Sequence, residues 1–295
     1  MAPREIQIEL TNACSASCLM CAHRHMKRPV VHMDFALLDK VVTEAAQIIK
    51  EPYVLGICGI GEPILHPDLV TALQIIKRVP FSLGTNGMFF DKERRYHVIN
   101  AKFTDITLSL DAITPETHAK MRPGLKFETV MSNVHNFLDE LRNRDKFWRN
   151  ILIQFIPTSA NIGELPAFIS YWEDEIKDLE GVKIFIKPMY QWPGLDNPYY
   201  PGVSVSVNDN PKILWGPFHA EAKFRNECAL FDNYVGIMSD GTYTPCCMVV
   251  EDEYKVGNLK DSTIMELYNS PKMNEYRTLQ KEKRYDEMPF CSKCV

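Results

Sequence analysis

Cys14-Ser15-Ala16-Ser17-Cys18-Leu19-Met20-Cys21, set directly behind the apolar run at 6–10, is the stretch that decides the fold of this 295-residue chain. Three thiolates on one loop can hold three irons of a 4Fe–4S cube and leave the fourth iron open to a ligand, whereas a closed ferredoxin-type site takes four cysteines. The plainer readings are buried thiols or a zinc site. Zinc favours paired C-x2-C arms and needs a fourth ligand, which nearby His23 or His25 would have to supply.

Working outward, six strand-like runs at 6–10, 53–58, 81–84, 106–110, 151–156 and 182–186 alternate with segments of helical period. Segment 35–49 sets Leu37, Leu38, Val41, Val42, Ala45, Ile48 and Ile49 on one side, and segment 130–141 groups Val134, Phe137, Leu138 and Leu141. Repeated βα units predict a parallel sheet with crossover helices. Right-handed crossovers wind such units into an α/β partial (β/α)6 TIM barrel over residues 1–187, with its chemistry at the carboxyl ends of the strands.

After Lys187 the pattern breaks into an extended connector, 188–227, marked by Pro188, Pro193, Gly194, Asn197, Pro198, Pro201, Gly202 and Pro211. Beyond it, runs 234–238 and 242–246 flank Ser239-Asp240-Gly241, which signals a hairpin, and a helix follows over 264–269. The segment 228–295 is too short for a large core of its own, so a bound metal cluster is expected to hold it together.

Composition narrows the function. The chain carries 33 Lys+Arg against 38 Asp+Glu, formally −5, with no basic block to meet a run of phosphates, so nucleic acid is not an expected partner. No segment reaches the roughly 18 apolar residues of a membrane span, and the N-terminus has no signal core, so a soluble cytoplasmic protein with no membrane partner is expected. Nine cysteines in such a setting point to metal or catalytic use and not to disulfides. Their positions fall into two groups, one near the start and one in the last quarter, which suggests two clusters.

With these residues in place, the chain resembles the radical S-adenosylmethionine superfamily, in which C-x3-C-x2-C after the first barrel strand is the defining motif. The resemblance implies that Cys14, Cys18 and Cys21 hold a 4Fe–4S cluster whose open iron chelates S-adenosylmethionine. The second strand runs into Cys58-Gly59-Ile60-Gly61-Glu62-Pro63, matching the family's Gly-Gly-Glu-Pro-like segment. On that match Gly59, Gly61 and Glu62 receive the methionine ammonium. Thr85 and Asn86 after the third strand, and Ser109 and Asp111 at the end of the fourth, stand where the family contacts methionine carboxylate and ribose. Met20 takes the place of an aromatic residue that contacts adenine, and its thioether can pack on a ring. Arg122 is either a bidentate partner of the methionine carboxylate or an ordinary surface arginine. Gln154 on the fifth strand is placed to reach the ribose.

Cys228, twelve further residues, Gly241-Thr-Tyr-Thr-Pro-Cys246 and the closing Cys291-Ser-Lys-Cys294 resemble the SPASM/Twitch extension of the same superfamily. A full SPASM module carries seven cysteines, and four fit here. The resemblance therefore implies the Twitch type, a small C-terminal domain over 228–295 with one fully ligated auxiliary 4Fe–4S cluster. Zinc on four thiolates has the same spacing. Cys58 reads as a small buried hydrophobe. Cys247 is expected to face away from Cys246, since consecutive hairpin residues point oppositely, and is then a packing residue, an alternative ligand, or a thiol aimed at the substrate as a hydrogen donor.

The implied cofactors are S-adenosylmethionine and two 4Fe–4S clusters, reduced by a donor such as flavodoxin or ferredoxin. The implied activity is hydrogen abstraction by a 5′-deoxyadenosyl radical, leading to oxidation or epimerisation of a small polar, carbohydrate-like substrate, as in the Twitch-type dehydrogenases and epimerases of aminoglycoside pathways. A ribosomal-peptide maturase is the alternative; such enzymes often carry a leader-binding winged helix, and only about five residues precede the first strand here. A non-enzymatic iron–sulfur or zinc scaffold is a third possibility, against which the segments 59–63 and 109–111 speak.

Overall fold

The computed structural model describes residues 2–189, 192–194, 210–215, 228 and 230–294. Six strands stand where the apolar runs place them: β1 (Glu5–Ile8), β2 (Leu55–Ile57), β3 (Phe81–Thr85), β4 (Asp105–Ser109), β5 (Asn150–Phe155) and β6 (Val182–Ile186). Each pairs in parallel with the next. The crossovers carry α1 (Phe35–Ile48), α2 (Leu69–Ile76), α3 (Lys92–Asn100), α4 (Pro115–Met121), α5 (Phe127–Arg142) and α6 (Leu165–Glu175).

Local chemistry explains where the helices start. Asp34 caps α1 by accepting from the Leu37 amide at 2.9 Å, and Asp68 and Asp91 do the same for α2 and α3. The predicted stripes are buried: Leu37, Leu38, Val41, Val42 and Ala45 on α1, and Val130, Val134, Phe137, Leu138 and Leu141 on α5. Burial of each larger side chain contributes about 1.5–3 kcal/mol. Ile48 and Ile49, at the end of the α1 stripe, are only half-buried.

Strand residues alternate in the same way. Ile6 and Ile8, Phe81 and Leu83, Ile106 and Leu108, and Ile184 and Ile186 share one apolar core with the helices. Their neighbours on the other side, among them Gln7, Gly56, Ser82, Gly84, Thr107 and Ser109, are half-buried and mostly small or polar. A parallel sheet usually buries both faces in apolar residues. Here the inner face is kept open and polar, as a ligand chamber requires.

The sheet is wider than six strands. Its order is β7-β6-β5-β4-β3-β2-β1-β8-β9. β7 (Ile213–Trp215) lies inside the expected connector and pairs in parallel with β6. At three residues between turn-formers it carries no periodic signal. Most of the connector 188–227 lies outside the described residues. On the other edge, β8 (Tyr234–Ile237) follows α7 (Leu230–Asn233), pairs in parallel with β1, and forms the predicted hairpin with β9 (Tyr243–Thr244). The C-terminal segment thus continues the barrel sheet. Two helices complete it, α8 (Ile264–Tyr268), which the sequence predicts, and α9 (Pro271–Lys281), which it leaves unread. Among the described residues no helix is long and apolar enough to cross a membrane.

Glu9, one residue beyond β1, joins these parts. Arg28 grips its carboxylate with both guanidinium nitrogens, at 2.7 and 2.6 Å. Ser239 donates from amide and hydroxyl at 3.2 and 2.9 Å, and the Ile60 amide donates at 3.2 Å. Arg28 also donates to the Val250 carbonyl at 2.7 Å. On the outside, Lys40 of α1 donates to the Leu259 and Ser262 carbonyls, and Glu44 accepts from the Ile264 amide at 2.6 Å.

Removing one partner of a buried, hydrogen-bonded ion pair costs about 3–5 kcal/mol. Glu9→Ala and Arg28→Ala should each lower the thermal midpoint by a comparable amount, and the double variant should fall well short of the sum. Asp174→Ala, which breaks the exposed Lys177–Asp174 pair, should leave the midpoint unchanged. Thermal melts showing additive losses at residues 9 and 28 would remove the pair from this role.

Candidate functional site

Cys14, Cys18 and Cys21 lie on the loop that leaves β1, and the far side of the barrel holds that loop in place. Ser17 and Leu19 amides donate to the Pro123 and Met121 carbonyls at 2.8 and 3.0 Å. Gly124 passes so close that a Cβ there would meet the Ser15 carbonyl at 2.4 Å, and its φ of +96° favours glycine independently. Each thiol has a donor aimed at its sulfur: the Ala16 amide to Cys14 at 3.5 Å, the His23 amide to Cys21 at 3.4 Å, and Arg122 Nη1 to Cys18 at 3.6 Å.

Burial pushes Cys14 up to about 12 and Cys21 up to about 11, and raises Cys18 as well. Two of the thiols are raised further by neighbouring cysteine charge, Cys14 by Cys18 and Cys21, and Cys21 by Cys18. Such thiols stay protonated until a cation draws the protons off. Donors directed at three sulfurs, together with a guanidinium, suit an anionic thiolate set bound to iron.

Arg122 is buried, so its reading as a surface arginine is wrong. Its Nε is buried without a hydrogen-bond partner. Its Nη2 pairs with Asp111 at 2.5 Å, and the other Asp111 oxygen accepts from the Ile156 amide at 2.7 Å. Asp111 is fully buried with φ of +63°, and its carboxylate supports Arg122. Ser109 and Gln154 are partners across β4 and β5, with Gln154 Nε2 donating to Ser109 Oγ at 3.3 Å.

Glu62 is the acid at the centre of this end of the barrel. It is buried, and its two oxygens accept from the Asn86 amide at 2.7 Å and the Ile64 amide at 3.3 Å. Burial raises its pKa to about 7 against these hydrogen bonds. A carboxylate in that state gains most from an ammonium ligand. Thr85 Oγ1 accepts from Gly87 and Asn86 Oδ1 from Met88, which shapes the turn after β3. Asn86 Nδ2 stands 4.0 Å from the Cys14 sulfur, so the Glu62 turn and the cysteine loop meet.

The two glycines before Glu62 have a packing cause. A Cβ at Gly61 would lie 2.1 Å from the Thr11 carbonyl, and one at Gly59 would lie 2.8 Å from Glu9 Cβ. Met20 is buried, and its carbonyl accepts from Trp192 Nε1 at 2.7 Å.

The C-terminal thiols assemble around Tyr254. Its hydroxyl lies 3.1 Å from Cys291 Sγ and also senses Cys246 and Cys228. Cys246 is buried and accepts from the Met248 amide at 3.4 Å, and Gln280 donates to the Cys228 carbonyl at 2.6 Å. Cys294 follows Cys291 in a single 3-10 turn, its amide donating to the Cys291 carbonyl at 3.1 Å. Among the described residues no three of these side chains converge on one point as around a single ion. Their fit to iron–sulfur ligation rests on the donor set.

Strand alternation does not govern Cys246 and Cys247. β9 ends at Thr244, Pro245 breaks it, and the two thiols lie close enough in the following turn to act on each other electrostatically. Cys246 and Cys247 both line a small cavity with Gln7, Glu9, Tyr234 and Thr244, and both interact electrostatically with Cys228, so the expected opposite facing is not seen. Lys187 and Glu5 act electrostatically on Cys247, and Cys58 in turn senses Cys247 and Lys187. Cys58 is half-buried on the inner face, against Gly84, so it lines the chamber and is not a core hydrophobe.

Glu9, Arg28, Tyr254 and the pair Pro123 and Gly124 escaped the sequence reading. The one available signal was the Glu5, Gln7, Glu9 alternation, which puts three polar groups on the inner side of a buried strand.

Comparison with known proteins agrees with this geometry. The Radical SAM superfamily profile matches residues 8–155, and an iron–sulfur cluster-binding SPASM domain profile matches 228–295. A tungsten-containing aldehyde ferredoxin oxidoreductase cofactor-modifying protein of Pyrococcus furiosus is 22% identical over 316 residues, spanning 98% of this chain and 86% of that protein. The crystal structure of BtrN with AdoMet and 2-DOIA superposes with a TM-score of 0.59 at 14% identity, covering 100% of this chain and 93% of the other. Streptococcus suis SuiB bound to its precursor peptide SuiA gives 0.71 at 14% identity, over 94% and 67%. The cofactors that go with these domains are S-adenosylmethionine, a 4Fe–4S cluster and auxiliary iron–sulfur ligation in the C-terminal segment.

If the two thiol sets each hold a 4Fe–4S cluster, anaerobically reconstituted protein should contain about eight irons, and the Cys14/Cys18/Cys21 triple alanine variant about half, with no S-adenosylmethionine cleavage. Zinc in place of the remaining iron would overturn the second assignment. Glu62→Ala should weaken S-adenosylmethionine binding and leave iron content intact. In the native protein, affinity should fall roughly tenfold per pH unit below about 7, where Glu62 takes up a proton. Calorimetry showing a flat profile from pH 8.5 to 5.5 would remove Glu62 from ammonium binding.

Proposed function

The chain belongs to the radical S-adenosylmethionine superfamily, and on that footing we propose that it oxidises a small polar, carbohydrate-like substrate by removing hydrogen from carbon. The family is enzymatic. The observation that carries the oxidative reading is the set of C-terminal thiols around Tyr254, with Cys246 on the wall of the inner cavity. S-adenosylmethionine and its cluster, once reduced, supply the hydrogen-abstracting chemistry, and an auxiliary cluster supplies an electron acceptor.

The chain's own residues hold and exclude. Cys14, Cys18 and Cys21 would ligate the first cluster, with Arg122 fixing the Cys18 sulfur and Asp111 fixing Arg122. Glu62 would receive the methionine ammonium, Thr85, Asn86, Ser109 and Gln154 would complete the surround, and Met20 would pack on the adenine. Gly59 and Gly61 let the Glu62 loop lie flat on the residues beyond β1. The small inner faces of β2 and β3 leave room for a substrate, and Trp192 over Met20 helps keep water out. Cys228, Cys246, Cys291 and Cys294 would hold the auxiliary cluster. A flavodoxin- or ferredoxin-type protein is the fitting electron donor.

Epimerisation is the second reading, favoured by the Cys247 thiol opening on the inner cavity beside Cys58. Its weak S–H bond would suit it to return a hydrogen atom. Likeness to a peptide-bound structure is a likeness of fold and selects no substrate.

Turnover in deuterium oxide separates the two. Oxidation should give a product two hydrogens lighter, free of solvent deuterium, with Cys247→Ala still active. One deuterium at an inverted carbon, together with a Cys247→Ala variant that makes 5′-deoxyadenosine but no inverted product, would sink the oxidative reading and establish Cys247 as the donor.

A further inference from the structure

We propose that Tyr254 sets the reduction potential of the auxiliary cluster by donating a hydrogen bond to the Cys291 sulfur. The proposal rests on the reading of Cys291 as a ligand. Tyr254 Oη and Cys291 Sγ are 3.1 Å apart. As a free thiol either atom can donate, but a cysteine bound to iron is a thiolate with no proton, so the bond then runs only from the tyrosine hydroxyl to the sulfur.

The tyrosine is built to hold that position. It is 1% exposed, its ring packs edge-on against Phe231, Tyr276 and Phe290, and its carbonyl accepts from the Tyr276 hydroxyl at 3.1 Å. A phenol hydroxyl ordinarily keeps its proton at neutral pH and so can donate. A donor aimed at a cluster sulfur favours the more negative, reduced state and so raises the potential. That is the direction an electron acceptor needs. In the oxidative reaction the substrate loses a hydrogen atom and then one electron and one proton, the electron to the auxiliary cluster and the proton to solvent.

The test uses the full-length, anaerobically reconstituted protein, with iron analysis and redox titration followed by electron paramagnetic resonance. Tyr254→Phe keeps the ring and removes the donor. Its auxiliary midpoint should move to more negative potential with iron content and the first cluster's midpoint unchanged. Tyr171→Phe, which removes a hydroxyl bonded to His135 between the outer helices α5 and α6, should leave both midpoints in place. Incorporation of 3,5-difluorotyrosine at 254 makes a stronger donor of nearly the same shape and should move the auxiliary midpoint the other way, a pair of opposite shifts that a purely structural role would not give. An auxiliary midpoint unmoved by both changes at 254 overturns the proposal. Cys291→Ala tests the underlying assignment separately: it should lose the auxiliary iron, and full retention would refute the ligand reading itself.

Discussion

The carboxylate of Glu9 is the point on which the rest of the molecule hangs. It accepts from Arg28 behind the cysteine loop, from Ile60 in the segment leading to Glu62, and from Ser239 in the C-terminal hairpin. A buried charge needs its solvation replaced in full, so these segments cannot separate without exposing an expensive group. The first thiol set, the Glu62 turn and the C-terminal segment are therefore held in one arrangement from one atom pair. Because β8 pairs in parallel with β1, the same strand anchors both sides of that arrangement.

The cysteine loop depends on a second buried ion pair. Asp111, in a left-handed conformation at the end of β4, holds Arg122, and Arg122 reaches Cys18. The pairing makes both residues supports for the loop. It also places a fixed positive charge beside a sulfur that burial alone would keep protonated, which favours the thiolate a metal requires.

Around Tyr254 the protein meets a different demand. The hairpin turn at Pro245 sets two adjacent cysteines side by side, both on the wall of the inner cavity and both within electrostatic reach of Cys228. The expected opposite facing is not seen, because a proline-broken turn and not strand pleating sets the direction of the two thiols.

Local signals were legible in the sequence because each is complete within a few residues. The C-x3-C-x2-C spacing, the stripes of α1 and α5, the six first strands and the Ser239-Asp240-Gly241 turn all express ligand geometry, helical period or turn chemistry that holds wherever the segment lies. The tertiary structure alone decided which distant groups meet: Ser239 with Glu9 across 230 positions, Arg122 with Cys18 across 104, Tyr254 with Cys291 across 37. It also decided that β7 and β8 extend the sheet beyond six strands. Such contacts are selected by the cost of burying polar groups without partners, and that cost exists only once the whole chain has closed around them.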